Sequence, residues 1–458
     1  METTTQHTGL DYSNGKIPVL FRKIFFPTLW GMIFTALITI VDGIFVGNGV
    51  GPDGIAAVNI VAPLYMVATG IGLMLGIGAS VQAGMALAYG NSRKACVIVS
   101  QAFIFGTVVM AILVAATLCS PTTVARLLGS SDHLLPLALD YLCWLIPGIL
   151  FLVWSCIGMM TIRLDGSPKY AMMVNIVPAI LNIIGDYILI FPYGMGVKGA
   201  AIATAGSVAI GGIMALAYFH KPYVIRLMTD FSRCRHNIAR TMAVGSASFI
   251  TEIAMSVMML TGNYIFIRYY GDAGVAAFSI ACYLFPLMFM MSNAVAQSAQ
   301  PIISYNYGTH SMRRVNEAFR LSLRVALACG VIVTASIFCL SARIVGMFIP
   351  VGSEAGLLAT YGLPIYSLCA IFFALNITFI GYYQSMGKAV RAMIYTLLRG
   401  IVLLVPLFFL LPALFPSWGM WAAIPASEFA TFLIILADSR INGQYQPLPQ
   451  QAGDRRQP

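Results

Sequence analysis

Four carboxylates stand where a carboxylate is costly. Asp42 lies in I-T-I-V-D-G-I-F-V-G, Asp186 in L-N-I-I-G-D-Y-I-L-I, Glu252 in A-S-F-I-T-E-I-A-M-S and Glu428 in A-A-I-P-A-S-E-F-A-T, each inside a long apolar run. A charge held in hydrocarbon costs roughly 3 kcal/mol or more unless it faces water, finds a partner or takes up a proton. Residues of this kind suit reversible binding of H⁺ or a small cation. Asn182 stands four residues before Asp186, one turn away on the same helix face. Asp42 and Asp186 each fall about six residues before the end of an outward-running segment, so they share a depth at about 1.5 Å of rise per residue. Asp42, Asn182 and Asp186 therefore form one candidate cation or proton site; the alternative is that the two aspartates mark the aqueous rim.

Glu252 and Glu428 fall near the middle of their runs. Arg399 is the basic residue deep enough to partner them, unless it snorkels to the surface. Asn293, Gln297 and Gln300 in N-A-V-A-Q-S-A-Q-P lie along one helix side, where amides either line a polar cavity or bond neighbouring helices. Pro178, just before the Asn182/Asp186 turn, is a candidate bending point.

The elements that must position these residues are membrane helices. The chain has 458 residues, 59% hydrophobic and only 9% charged, with a mean hydropathy of +0.86, against about 25% charged in soluble domains. Runs long enough to span fall near 17–47, 54–84, 95–119, 136–162, 169–192, 197–219, 240–267, 274–305, 321–341, 355–383, 392–412 and 418–437. They lack the alternation of barrel strands, so the fold class is an all-α polytopic membrane protein with twelve transmembrane helices. The net charge of +10 describes topology rather than a nucleic-acid footprint. With the N-terminus inside, every lysine and arginine except Arg126, Lys198, Arg268 and Arg343 is inside, so both termini are expected in the cytoplasm. The nine cysteines have no metal-type spacing and read as buried thiols.

The chain repeats. G-P-D-G-I-A-A-V at 51–58 matches G-D-A-G-V-A-A-F at 271–278, Tyr89-Gly90 answers Tyr307-Gly308, and G-S-P-K at 166–169 answers S-M-G-K at 385–388. Six spans per half make the copies parallel: a lobe of residues 1–220, a cytoplasmic linker over 221–240 and a lobe of 241–458, related by a pseudo-two-fold axis along the membrane normal. Transporters built from such repeats bind cargo near the midplane and alternate access by rocking. No Walker A loop, H-E-x-x-H helix or G-x-S-x-G elbow occurs, so enzyme chemistry and ATP drive are not expected, and an ion gradient is the natural energy source. The 25 methionines are compatible with a broad cargo site.

Taken together, V-D-G-I-F-V-G at Asp42, R-L-D-G-S-P-K, N-I-I-G-D at Asn182 to Asp186, G-V-K-G-A-A-I-A-T from Gly196 and A-Q-P-I-I-S-Y-N-Y-G at Ala299 to Gly308 resemble the multidrug and toxic compound extrusion (MATE) family, closest to its DinF-like branch. The resemblance implies antiport: cationic or amphipathic drugs leave while H⁺ or Na⁺ enters. It also implies that Asp42, Asn182 and Asp186 form the cation site of the first lobe and that Glu252 contributes to the second. Where relatives often carry an amide a turn before the arginine of the fourth span, Gly158-Met159-Met160 precedes Arg163 here, which favours H⁺ over Na⁺. A monomer of a bacterial inner membrane with no cofactor is expected. The alternatives are a flippase for lipid-linked sugars from the same superfamily, and a channel or receptor, against which the repeat and the short loops argue.

Overall fold

The computed structural model describes residues 10–50, 52–128, 130, 132–220, 222–230 and 232–441; the side chains of 39, 40, 42–44, 47, 48, 52, 53, 55, 56, 59, 272, 275, 440 and 441 lie outside that description. Among the described residues twelve helices are long and apolar enough to cross a bilayer, as the hydropathy pattern requires. They are α1 (Ile17–Gly49), α2 (Pro52–Ala88), α3 (Ser92–Cys119), α4 (Leu135–Leu164), α5 (Pro168–Ile190), α6 (Gly196–Ala217), α7 (Cys234–Gly271), α8 (Ala276–Gly308), α9 (Met312–Phe348), α10 (Glu354–Ser385), α11 (Ala389–Leu414) and α12 (Gly419–Ile441). No strand occurs among the described residues. Helices satisfy their own backbone, which lipid cannot do for them.

Helical structure begins at Cys234, so residues 234–240, expected in the linker, form the first turns of α7. The break between α7 and α8 is Gly271, at φ 57° and ψ −146°. That backbone is open essentially to glycine alone, which explains the residue at this point of the repeat. Its counterpart Gly51 lies outside the described residues.

One apolar core joins α2 to α6 through residues such as Leu75, Ile98, Leu145 and Val153. The second half of the chain forms its own cores, around Phe319 and Phe379 and around Phe278 and Trp421. α1 is shared between them. Ile17, Leu20, Phe21 and Ile24 join the second-half core, whereas Val46 joins the first, with Pro27 between. The segment 1–220 thus lends the first half of α1 to the other lobe.

The halves meet most closely where α2 crosses α7. A Cβ on Gly78 would strike the carbonyl of Thr241, and one on Gly245 the carbonyl of Met74, so the two backbones touch through glycines. Arg93, Lys94, Arg313 and Arg314 mark the nearby end of the bundle, called here the basic end. There the linker is strapped to the first lobe: Asp165 accepts from the backbone N–H groups of Tyr223, Val224 and Ile225 at 2.8, 2.9 and 2.8 Å and from the Tyr218 hydroxyl at 2.8 Å.

Candidate functional site

α7 carries Glu252 to the seam between the lobes. The residue is 8% exposed and lines a cavity of about 40 Å³ whose walls come from both halves: Leu73 and Ile77 of α2 face Asn293, Gln297, Gln300 and Gln384 of the second lobe. The space suits one or two waters and is far below the roughly 300–1,000 Å³ of a small-molecule pocket. No lysine, arginine or histidine lines it. The cavity therefore has room for water or a small ion and none for a larger cargo in this conformation.

Of the three amides of α8, Gln297 and Gln300 both line the cavity and bond neighbouring helices, while Asn293 does only the first. All line the Glu252 cavity. Asn293 Nδ2 donates within its own helix to Phe289 O at 3.0 Å, Gln300 Nε2 reaches Ile77 O of the other lobe at 3.5 Å, and Gln297 Oε1 accepts from Arg163 Nη1 at 2.7 Å. Arg163, read from the sequence as the arginine of the fourth span, is only 2% exposed. It has no carboxylate within ion-pair distance among the described residues. Its backbone carbonyl accepts from the Tyr12 hydroxyl at 2.7 Å. Tyr12 O in turn accepts from Asn306 Nδ2 at 3.1 Å and Arg314 Nη2 at 3.0 Å. Together with Gln82 Nε2 donating to Thr241 Oγ1 at 2.6 Å, these bonds close the lobes together at the basic end.

In the first lobe, α5 presents Asn182 and Asp186 on one face, 2% and 0% exposed. Full burial removes the aqueous-rim reading for Asp186. Asn182 Nδ2 donates to Thr204 Oγ1 at 3.3 Å, and its Oδ1 has no hydrogen-bond partner among the described residues. Asp42 lies within α1, and its side chain is outside the described residues. The helices themselves pack together nearby, Phe45 against Tyr187 with ring centroids 6.3 Å apart. Pro178 of α5 packs on Gly211.

In the second lobe, Arg399 and Glu428 find each other rather than Glu252. Arg399 Nη2 lies 2.7 Å from Glu428 Oε1 and Nε lies 3.0 and 3.2 Å from the two oxygens. Arg399 is 5% exposed, so it does not snorkel. Its guanidinium lies 4.3 Å from the centre of the Phe373 ring, on a π-helical turn over Leu398–Val402. Asn376 Nδ2 completes the cluster by donating to Glu428 Oε2 at 2.8 Å. Asn376 and Tyr12 are residues that sequence reasoning did not place, and Arg163 was read only as the arginine of the fourth span, without its partners. Asn376 was legible as a lone amide in an apolar span; the other two sat beside loops and carried no such signal.

The MatE family model matches residues 27–188 and 247–410. Two relatives called multidrug export protein MepA are similar over nearly full length: that of Staphylococcus saprophyticus is 24% identical, covering 90% of this chain and 91% of its own, and that of Staphylococcus aureus is 25% identical, covering 92% and 94%. Among solved structures, a MOP superfamily transporter from Pyrococcus furiosus superposes with a TM-score of 0.89 at 22% identity, covering 96% of this chain and 98% of its own. A MATE protein in complex with MaD3S gives 0.88 at 22%, covering 95% and 98%.

Proposed function

The chain belongs to the MatE family, and from that premise we propose that it exports cationic or amphipathic organic compounds in exchange for inward H⁺ or Na⁺, with H⁺ preferred. It is a multi-pass membrane transport protein and not an enzyme. The relatives' designation as multidrug export proteins supports the cargo class. The positive-inside pattern supports a bacterial inner membrane with both termini cytoplasmic, and the monomer is taken as the working unit.

The observation that carries the coupling is Glu252, a buried carboxylate in a water-sized cavity with one wall from each lobe and no cation on its lining. Neutral when protonated, it tolerates a closed cavity walled by apolar side chains and amides; ionised, it requires water or a cation. Opening the seam supplies that water, so proton release and lobe separation favour each other. Asp42, Asn182 and Asp186 are assigned the companion site of the first lobe, and the Arg399–Glu428 pair a supporting role in the second. A flippase for lipid-linked sugars calls for basic walls facing a pyrophosphate, and the Glu252 cavity has none.

The test is ethidium efflux from proteoliposomes under an imposed pH gradient or an imposed Na⁺ gradient, in separate trials. The parent chain is expected to respond to the pH gradient. Glu252→Gln and Asp42→Asn should each lose about 5- to 150-fold in gradient-driven rate, the span of ordinary coupling free energies. Unchanged efflux in Glu252→Gln removes that residue from the coupled path; no efflux by the parent under either gradient sinks the antiport reading.

A further inference from the structure

A groove of about 980 Å³ runs along the flank of the first lobe, apart from the Glu252 cavity. Phe103, Ile104 and Val108 of α3, Trp154 of α4 and Leu227 and Met228 of the linker form its walls. Ile104, Val108, Leu227 and Met228 are all substantially exposed. The Trp154 indole and the Met228 amide among them are already paired. Trp154 Nε1 donates to Thr107 Oγ1 at 2.7 Å, and the backbone N–H of Met228 donates to Ser100 Oγ at 2.8 Å. What remains open is an apolar channel.

Its mouth is charged. Arg93 opens the groove at the basic end with its side chain 78% exposed, 3.4 Å from Asp230, and Lys94 and Arg226 flank it in the chain. Asp230 is the acid on the lining. The backbone N–H and then the hydroxyl of Ser232 hold its carboxyl below the usual range, with Arg93 adding to the effect. Asp230 therefore stays ionised and offsets one positive charge, and Arg93, Lys94 and Arg226 together leave the mouth net basic, which favours an anion over a cation. From Arg93 to Val108, α3 climbs about 22 Å at 1.5 Å per residue, and half of a bilayer with its headgroups measures about 20–22 Å. The groove is one leaflet long.

We propose that this groove holds one anionic phospholipid of the leaflet at the basic end, its acyl chain between α3 and Trp154 and its phosphate on Arg93. The lipid then lies against linker residues 227–230. Gln101 Nε2 ties this linker to α3 by donating to Asp230 O at 2.9 Å and Ser232 O at 3.0 Å.

Trp154 is a built-in reporter. The full chain is reconstituted in phosphatidylcholine bilayers with a growing share of bromo-acyl phosphatidylglycerol or bromo-acyl phosphatidylcholine, and the Trp154 signal is taken as parent minus Trp154→Phe. The anionic lipid should quench Trp154 at about fivefold lower mole fraction than the zwitterionic one, as one basic contact at a membrane surface provides. Arg93→Gln should remove that preference and leave quenching in place, and Ile104→Phe, which narrows the channel from its exposed edge, should weaken quenching by both lipids. Equal quenching of the parent by the two lipids would overturn the proposal, as would a preference that survives Arg93→Gln. So would no quenching of Trp154 by either lipid, or relief of quenching by added ethidium, which would make the occupant an organic cation.

Discussion

Arg399 and Glu428 show how much a single side chain can carry inside a bilayer. Each satisfies the other, and with Asn376 they form a buried cluster whose stability depends on completeness. Removing one partner leaves the other charged and unpaired, at a cost of about 3–5 kcal/mol. Arg399→Met is therefore expected to lower the thermal unfolding midpoint in detergent sharply, whereas the double change Arg399→Met/Glu428→Leu should recover most of it. If the double variant is stable yet loses gradient-driven efflux, the pair serves transport as well as the fold. Glu252 is a different kind of residue. Its cavity offers amides rather than a cation, so Glu252→Gln should keep or raise the unfolding midpoint while losing gradient-driven rate. The sequence separated these cases only halfway: all four acids were visible as charges in apolar runs, but which of them met Arg399 depended on contacts across helices far apart in the chain.

At the scale of helices, the close crossing of α2 and α7 is the most constrained feature. Gly78 and Gly245 each lie against a backbone carbonyl of the other helix, so no side chain fits between them. Gly245→Val should force the crossing apart. Spin labels on Tyr89→Cys and Arg235→Cys are expected to report a longer and broader distance distribution in that variant, and an unchanged distribution would show that the helices slide to absorb the new methyls. The twelve helices were readable from hydropathy because lipid demands long apolar runs, and the gap between the runs 240–267 and 274–305 brackets the break at Gly271. The division of α1 was not readable. Its apolar faces are alike along its length, so only packing reveals that Ile17 to Phe25 serve one lobe and Val46 the other.

For the whole molecule, closure at the basic end rests on a few polar contacts between the lobes. Tyr12 touches both, through Arg163 O on one side and Asn306 and Arg314 on the other. Tyr12→Phe deletes the bond to Arg163 O, worth about 1 kcal/mol, which should raise the open fraction about fivefold. Arg314→Gln, which also frees Gly15 O, should do more. Faster backbone hydrogen exchange in residues 10–16 and at the start of α7 is the expected readout, and parent-like exchange in both variants would assign closure to the glycine crossing alone. The same contacts set an order of events during synthesis. Tyr12 leaves the ribosome 302 residues ahead of Arg314, so at about 5–20 residues per second it waits some 15–60 s for the partner that fixes it. A segment translated well before its partner is thus among the last to be fastened, and until then the newborn first lobe has nothing to shut against.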